Sequence, residues 1–145
     1  MLASARRLLI DSAHEEKAAR HMAEELRIRA AGTAQPVAQL SGGNQQKVVL
    51  ARWLLAGAEV FLLDEPTRGV DVGAKAEIYE IIHGLAARGA AVLLASSELE
   101  EILHLADRVV VMHRGRIAGE LPACQAGEER IMHLATGGKQ SWASM

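Results

Sequence analysis

The chain has 145 residues, a formal net charge of −2 at pH 7 and 50% apolar residues. These values together predict one globular domain rather than a disordered or fibrous chain. The near-neutral charge and the 3% of aromatic residues argue against a basic or base-stacking surface, so we expect no nucleic-acid partner. The single cysteine, Cys124, excludes an internal disulfide, and no apolar run is long enough to span a bilayer. We therefore expect a cytoplasmic location.

The first half of the chain predicts two helices followed by a strand. An amphipathic helix is expected from Ser12 to about Ala30, stopped at Gly32. A second helix begins after Ser41, a natural N-cap residue, and is closed by Gly57. The apolar run from Val60 to Leu63 is typical of a strand that is covered on both faces.

The second half alternates helices and strands. Alternation of this kind predicts parallel strands joined by right-handed crossovers, and so an α/β fold with helices flanking a parallel sheet, ending in a β-hairpin and a helix. The expected elements are a helix over about 73–87, a strand over 91–95, a helix over 99–105, hairpin strands over 108–112 and 116–121, and a last helix over 125–135.

The second helix begins with the sequence Ser41-Gly42-Gly43-Asn44-Gln45. A helix start offers unpaired backbone N–H groups and the positive end of the helix dipole, and glycines let an anion approach the backbone closely. A phosphate is the expected ligand. A glycine turn before an ordinary capped helix would look the same, so this segment alone does not decide between the two.

Two adjacent acids follow the predicted buried strand. Asp64 stands where the strand ends, a position from which a carboxylate can hold Mg²⁺ beside a triphosphate. Glu65 would then point elsewhere and could act as general base toward a water molecule. The alternative is a solvated acidic turn before Pro66.

Taken together, these motifs resemble those of the ATP-binding cassette (ABC) ATPases. The segment from Leu40 to Leu54 is similar to the signature of the second cassette of bacterial sugar-importer ATPases, and the resemblance extends from about Gln35 onward. It implies ATP and Mg²⁺ as cofactors. It also implies that residues 41–45 contact the phosphate of an ATP held by another cassette, that Asp71 is the D-loop aspartate between cassettes, and that Ser97 occupies the switch-histidine position.

The same resemblance implies a set of partners and a location. These are a first cassette on the same or another polypeptide, membrane permease subunits and, indirectly, a solute-binding protein. The protein would lie at the inner face of the cell membrane, attached through the permease. The expected function is to couple ATP binding and hydrolysis to carbohydrate import.

Two departures from the family pattern limit this expectation. No lysine is followed by Ser or Thr, so the phosphate-cradling Walker A loop is absent, and Gly137-Gly138-Lys139 is a chance likeness in a flexible tail. We therefore expect a C-terminal fragment of a longer polypeptide, inactive in isolation. Ser97 cannot carry the positive charge of an imidazole, which casts doubt on hydrolysis at the site of Asp64 and Glu65.

The expected organisation has three parts. Residues 1–40 would end a helical subdomain, residues 41–135 would form the C-terminal part of the ATPase core, and residues 136–145 would be a flexible tail.

Two other functions remain open on the sequence. One is an ABC ATPase that acts on nucleic acid or ribosomes, and the other is a truncated chain that binds no nucleotide.

Overall fold

The computed structural model describes residues 12–138. Residues 1–11 and 139–145 lie outside it, and with them lie the start of the expected first segment, Lys139 and most of the expected tail. The described residues form two compact units, 12–93 and 94–138. The predicted boundaries at residues 40 and 135 stay predictions.

The first unit is built from helices and a two-stranded parallel sheet, as the α/β prediction required. On its third helix, Ile78, Ile82 and Leu85 recur at helical spacing and are buried. Met22 and Leu26 pack with Ala51 in a second apolar cluster. The elements are α1 (Ser12–Glu25), a 3-10 helix (Val37–Gln39), α2 (Gly42–Leu55), β1 (Val60–Asp64), α3 (Val72–Ala87) and β2 (Ala91–Ala95), the last two residues of which are counted with the second unit.

Helix α1 ends earlier than its amphipathic pattern predicts, at Glu25 rather than near residue 30. Arg27 has a left-handed backbone with φ of 51°, which a continuing helix does not allow. The main chain beyond it bonds to α2 instead: the Arg27 carbonyl accepts from Lys47 Nζ at 3.1 Å, and the Arg29 N–H donates to Asn44 Oδ1 at 2.8 Å. Tertiary contacts therefore override the local helical preference.

The prediction that β1 is covered on both faces is wrong for the described unit. Phe61 is 3% exposed, whereas its neighbours Val60 and Leu62 are 62% and 74% exposed. Leu93 on β2 is 67% exposed. Successive side chains of a strand point to opposite faces, so helices of this unit cover one face of the sheet and leave apolar side chains bare on the other.

The second unit holds the predicted hairpin. Strands β3 (Arg108–His113) and β4 (Arg116–Pro122) are antiparallel, with His113 opposite Arg116. The two-residue turn Arg114-Gly115 has positive φ at both positions, 48° and 75°. A core of buried residues from the hairpin and the last helix includes Val109, Leu121 and Leu134. The elements are α4 (Leu99–Leu105), β3 (Arg108–His113), β4 (Arg116–Pro122), a 3-10 helix (Ala123–Gln125) and α5 (Glu128–Ala135).

Two details of this unit differ from expectation. Helix α5 starts at Glu128, because the chain first makes the short 3-10 turn after Pro122. The acids Glu98, Glu100 and Glu101 at the start of α4 are typical of a solvated first turn that complements the helix dipole, but Glu101 is 1% exposed. Within residues 12–138, no helix is both long enough and apolar enough to cross a membrane.

Candidate functional site

The N-terminus of α2 has the geometry expected of an anion-binding turn. Ser41 stands at the N-cap with extended backbone angles, φ −62° and ψ 156°. Its carbonyl accepts the first helical hydrogen bond, from the Gln45 N–H at 2.9 Å. The N–H groups of the first helical turn have no acceptor within the helix and point along its axis, so they can bind an anion.

The two glycines of this turn play different parts. A Cβ atom added to Gly43 would lie 2.5 Å from Ala74 Cβ on α3, far inside van der Waals contact. Gly43 is buried, so its missing side chain serves the close packing of α2 on α3. Gly42 is exposed, and a Cβ there would lie 3.4 Å from the Gly69 carbonyl oxygen. Gly42 is therefore the glycine that leaves backbone accessible.

The polar side chains of the turn bond to the protein itself. Ser41 occupies the predicted N-cap position by its backbone conformation, but its side chain makes no capping hydrogen bond to the helix. Asn44 Nδ2 donates to Ser41 Oγ at 2.8 Å, and Gln45 Nε2 donates to the Leu40 carbonyl at 2.8 Å. Both amides thus stiffen the turn from within.

The two acids follow β1 as predicted. Asp64 is the last residue of the strand and its side chain is exposed, so its carboxylate oxygens are accessible to a cation. Glu65 has a left-handed backbone with φ of 48°, although it is not glycine. This conformation costs a residue with a Cβ roughly 1–2 kcal/mol, and such strain is concentrated at functional sites.

The remaining two predicted residues are held differently. Asp71 caps α3, since its Oδ1 accepts from the Ala74 N–H at 3.0 Å. One function of this carboxylate is therefore to start the helix. Ser97 belongs to the second unit, where it is exposed in the turn before α4; in the same turn the Glu98 N–H donates to Ser96 Oγ at 3.0 Å.

A buried ion pair beneath the turn was missed from the sequence. Lys47 is 1% exposed, and its ammonium donates to Glu77 of α3 and to the Arg27 carbonyl. The hydrogen bond from Lys47, with the nearby charge of Arg29, lowers the pKa of Glu77 below its ordinary value. Helical spacing could have revealed the pair, because Lys47 falls between Gly43 and Leu50 on the buried face of α2.

Within the described residues the acids are not grouped for metal binding by the protein alone. No set of three or more His, Cys, Asp or Glu side chains in residues 12–138 is placed to hold a metal ion. A groove in the first unit is lined by residues such as Met22, Leu54 and Phe61, and it contains none of the predicted site residues. A magnesium ion at Asp64 would need ligands from elsewhere, which suits an ion that takes one or two carboxylates plus phosphate oxygens.

Comparisons with known proteins decide the family. The family profile described as ABC transporter matches residues 3–68. The "Ribose import ATP-binding protein RbsA" of Corynebacterium glutamicum is 56% identical over 135 residues, which is 93% of this chain and 26% of that protein. The chain belongs to the ABC transporter ATPases. The Ser-Gly-Gly turn and the Asp64-Glu65 pair both lie within the matched residues 3–68.

Further relatives support the same assignment. The "Arabinose import ATP-binding protein AraG" of Ralstonia nicotianae is 57% identical over 129 residues, covering 88% of this ABC ATPase chain and 25% of that protein. A solved nucleotide-free ATP-binding cassette from an ABC transporter superposes with a TM-score of 0.71 at 26% identity, covering 91% of this chain and 51% of the cassette. The chain therefore spans about a quarter of the length of these relatives and about half of the length of the solved cassette.

Proposed function

We propose that this chain is the C-terminal part of the second cassette of a sugar-importer ATPase, and that it couples ATP binding and hydrolysis to solute uptake. The observation that carries the proposal is the arrangement of the first unit. There, the signature turn at Gly42 lies against the loop around Gly69, which leads from the strand-end acids to Asp71. The relatives named above are ribose and arabinose import ATP-binding proteins, which supports a sugar as the transported solute.

Each residue of the turn and the strand end would have a distinct role. The Ser41 hydroxyl and the amides of Gly42 and Gly43 would bind the terminal phosphate of an ATP held by the opposite cassette. Asp64 would hold Mg²⁺, which when bound supplies charge neutralisation on the phosphates. Glu65 would accept a proton from the attacking water, at a residue whose backbone is left-handed.

The serine at the switch position limits the rate of this chemistry. An imidazole can place a positive charge on the transferred phosphate, whereas the neutral hydroxyl of Ser97 can only share a hydrogen bond. We therefore expect hydrolysis at the site of Asp64 and Glu65 to be slow compared with a histidine-containing site. ATP binding and cassette closure do not need the imidazole and would be retained.

The bare sheet face fits a chain that is completed by other residues. Val60, Leu62 and Leu93 are exposed apolar side chains on adjacent strands, and the rest of a cassette would cover them. That remainder would also supply the Walker A loop, which the 145 residues lack. The isolated chain should consequently bind Mg-ATP weakly or not at all.

The partners follow from the same proposal. The completed cassette would pair with a first cassette, dock on membrane permease subunits at the cytoplasmic face, and respond indirectly to a solute-binding protein. The domain limits at residues 40 and 135, like the tail beyond, belong to this proposal.

A chimaera tests the proposal directly. Residues 12–138 replace the matching segment of the Corynebacterium glutamicum ribose importer ATPase, and ribose uptake is measured in cells that lack the native protein. We expect uptake with the chimaera and its loss with Ser41→Ala. An inactive chimaera, or one that is indifferent to Ser41→Ala, would contradict the assignment. Tight Mg-ATP binding by the 145-residue chain alone, measured by calorimetry, would contradict the role given to the missing Walker A loop.

A further inference from the structure

Asn44 is the next side chain after the two glycines, and it faces the protein rather than the outside. Its Oδ1 accepts from the Arg29 N–H at 2.8 Å. Its Nδ2 donates to Ser41 Oγ at 2.8 Å. Both ends of the amide therefore bond to the chain itself.

The direction of the Asn44 amide is set by chemistry. A backbone N–H can only donate, so the atom that faces Arg29 must be the amide oxygen. The amide nitrogen is then left to face Ser41. Because an amide nitrogen can only donate, Ser41 Oγ must accept in this contact.

This contact determines what the Ser41 hydroxyl offers to its surroundings. One of its lone pairs is engaged by Asn44, and its proton is not needed for that bond. The side chain makes no capping bond to α2, and among residues 12–138 no other hydrogen bond holds it. The O–H is thereby kept as a donor toward the open side of the turn.

We propose that Asn44 is a positioning residue that keeps the Ser41 hydroxyl in the donor orientation required by a phosphate oxygen. The inference rests on the proposed function and deepens it. A phosphate carries acceptors only, so a hydroxyl that turned its lone pairs outward would repel it. Asn44 would thus act on ATP through Ser41, without touching the nucleotide.

The anchor behind Asn44 is rigid, which makes such positioning effective. Arg29 supplies the N–H that fixes the amide, and its guanidinium lies 3.3 Å from Glu77 Oε1. Lys47 of α2 binds both the same carboxylate and the Arg27 carbonyl. The segment that orients Asn44 is therefore tied to α2 and α3 at several points.

The decisive variant is Asn44→Asp in the chimaera described above. The new carboxylate can still accept from the Arg29 N–H, but it must also accept from Ser41, which draws the hydroxyl proton inward. Gln46→Glu is the matched control, because it adds the same charge to the same helix and Gln46 makes none of these contacts. Asn44→Ala releases the hydroxyl without adding charge, and it decides the question if Asn44→Asp fails to fold.

The measurement is ATPase kinetics, with the KM for ATP and kcat determined separately. Loss of a phosphate donor raises the KM, whereas a merely loosened helix lowers the active fraction and so kcat. We expect Asn44→Asp to raise the KM by about tenfold or more, as expected for a hydrogen bond to a charged group, and Asn44→Ala to raise it severalfold. Gln46→Glu should change it by less than about twofold.

A double-mutant cycle separates this inference from the proposed function. In the Ser41→Ala background, Asn44→Asp should change the KM no more than Gln46→Glu does, because the hydroxyl is already gone. Equal effects of Asn44→Asp with and without Ser41 would overturn the positioning role while leaving the phosphate site intact. An unchanged KM in Ser41→Ala itself would instead overturn the proposed function.

Discussion

Replacing Glu77 by glutamine should destabilise the first unit far more than its half-buried position on α3 suggests. The substitution leaves Lys47, which is 1% exposed, without its counter-charge, and an uncompensated buried charge typically costs about 3–5 kcal/mol. The Glu77 side chain is itself 28% exposed, so water can partly replace it, and we expect the lower end, about 3 kcal/mol. In the 145-residue chain, this corresponds to a fall of about 1–2 M in the urea midpoint.

The same helix provides the matched control. Glu80 lies one turn further along α3, pairs with Arg27 at 3.5 Å, and has a side chain that is 71% exposed. Exposed pairs contribute about 0–1 kcal/mol, so Glu80→Gln should leave the urea midpoint nearly unchanged. Combining Glu77→Gln with Lys47→Met should restore much of the lost stability, because no unpaired charge stays buried. Equal midpoints for the two single variants would refute the reasoning.

The pH dependence supplies a second readout of the pair. The pKa of Glu77 is lower in the folded chain than its ordinary value, so the unfolded chain binds the proton more readily. The stabilisation is therefore fully present above the unfolded pKa, about 4.3, and is lost as the pH falls through the lower folded value. Wild type and Glu77→Gln should differ most at neutral pH and converge well below pH 4.

Three further substitutions test the packing of α2 on α3 and the turn of the hairpin. Gly43→Ala should lower the free energy of unfolding by about 1–3 kcal/mol, because its Cβ would lie 2.5 Å from Ala74 Cβ. Gly42→Ala is the control and should change the free energy of unfolding by less than about 1 kcal/mol. Equal changes for the two variants would contradict the close approach of α2 and α3. Arg114→Asn should stabilise the chain by about 0.5–1 kcal/mol, because asparagine adopts the φ of 48° with less strain than arginine does. Thermal unfolding measures this change, and a loss of stability would contradict the two-residue turn.

The sequence predicted well those elements whose pattern is local. The strand Ala91–Ala95 and the helix Leu99–Leu105 have the bounds expected from their apolar runs and flanking residues. The hairpin was predicted from two runs, 108–112 and 116–121, separated by His113-Arg114-Gly115, and each strand is one residue longer than expected at its C-terminal end. In each case the signal and the structure involve the same few residues.

Features that depend on distant partners could not be predicted in the same way. The end of α1 is fixed by contacts from Arg27 and Arg29 to residues of α2 far along the chain. The hydrogen bonds at the two ends of the Asn44 amide depend on the three-dimensional position of Arg29, so they could not be predicted from the sequence. An apolar run such as Val60 to Leu63 indicates that both faces of a strand can be buried. It does not indicate which residues pack against each face.

The left-handed backbone at Glu65 has an evolutionary consequence. Glycine or asparagine would adopt this backbone conformation with less strain, so replacing Glu65 by either residue would stabilise the fold. Selection for thermostability alone should therefore replace the acid, whereas the general-base role proposed for Glu65 predicts that selection for transport retains it. The identity of this one residue across diverging descendants would record whether the reaction or only the fold had been preserved.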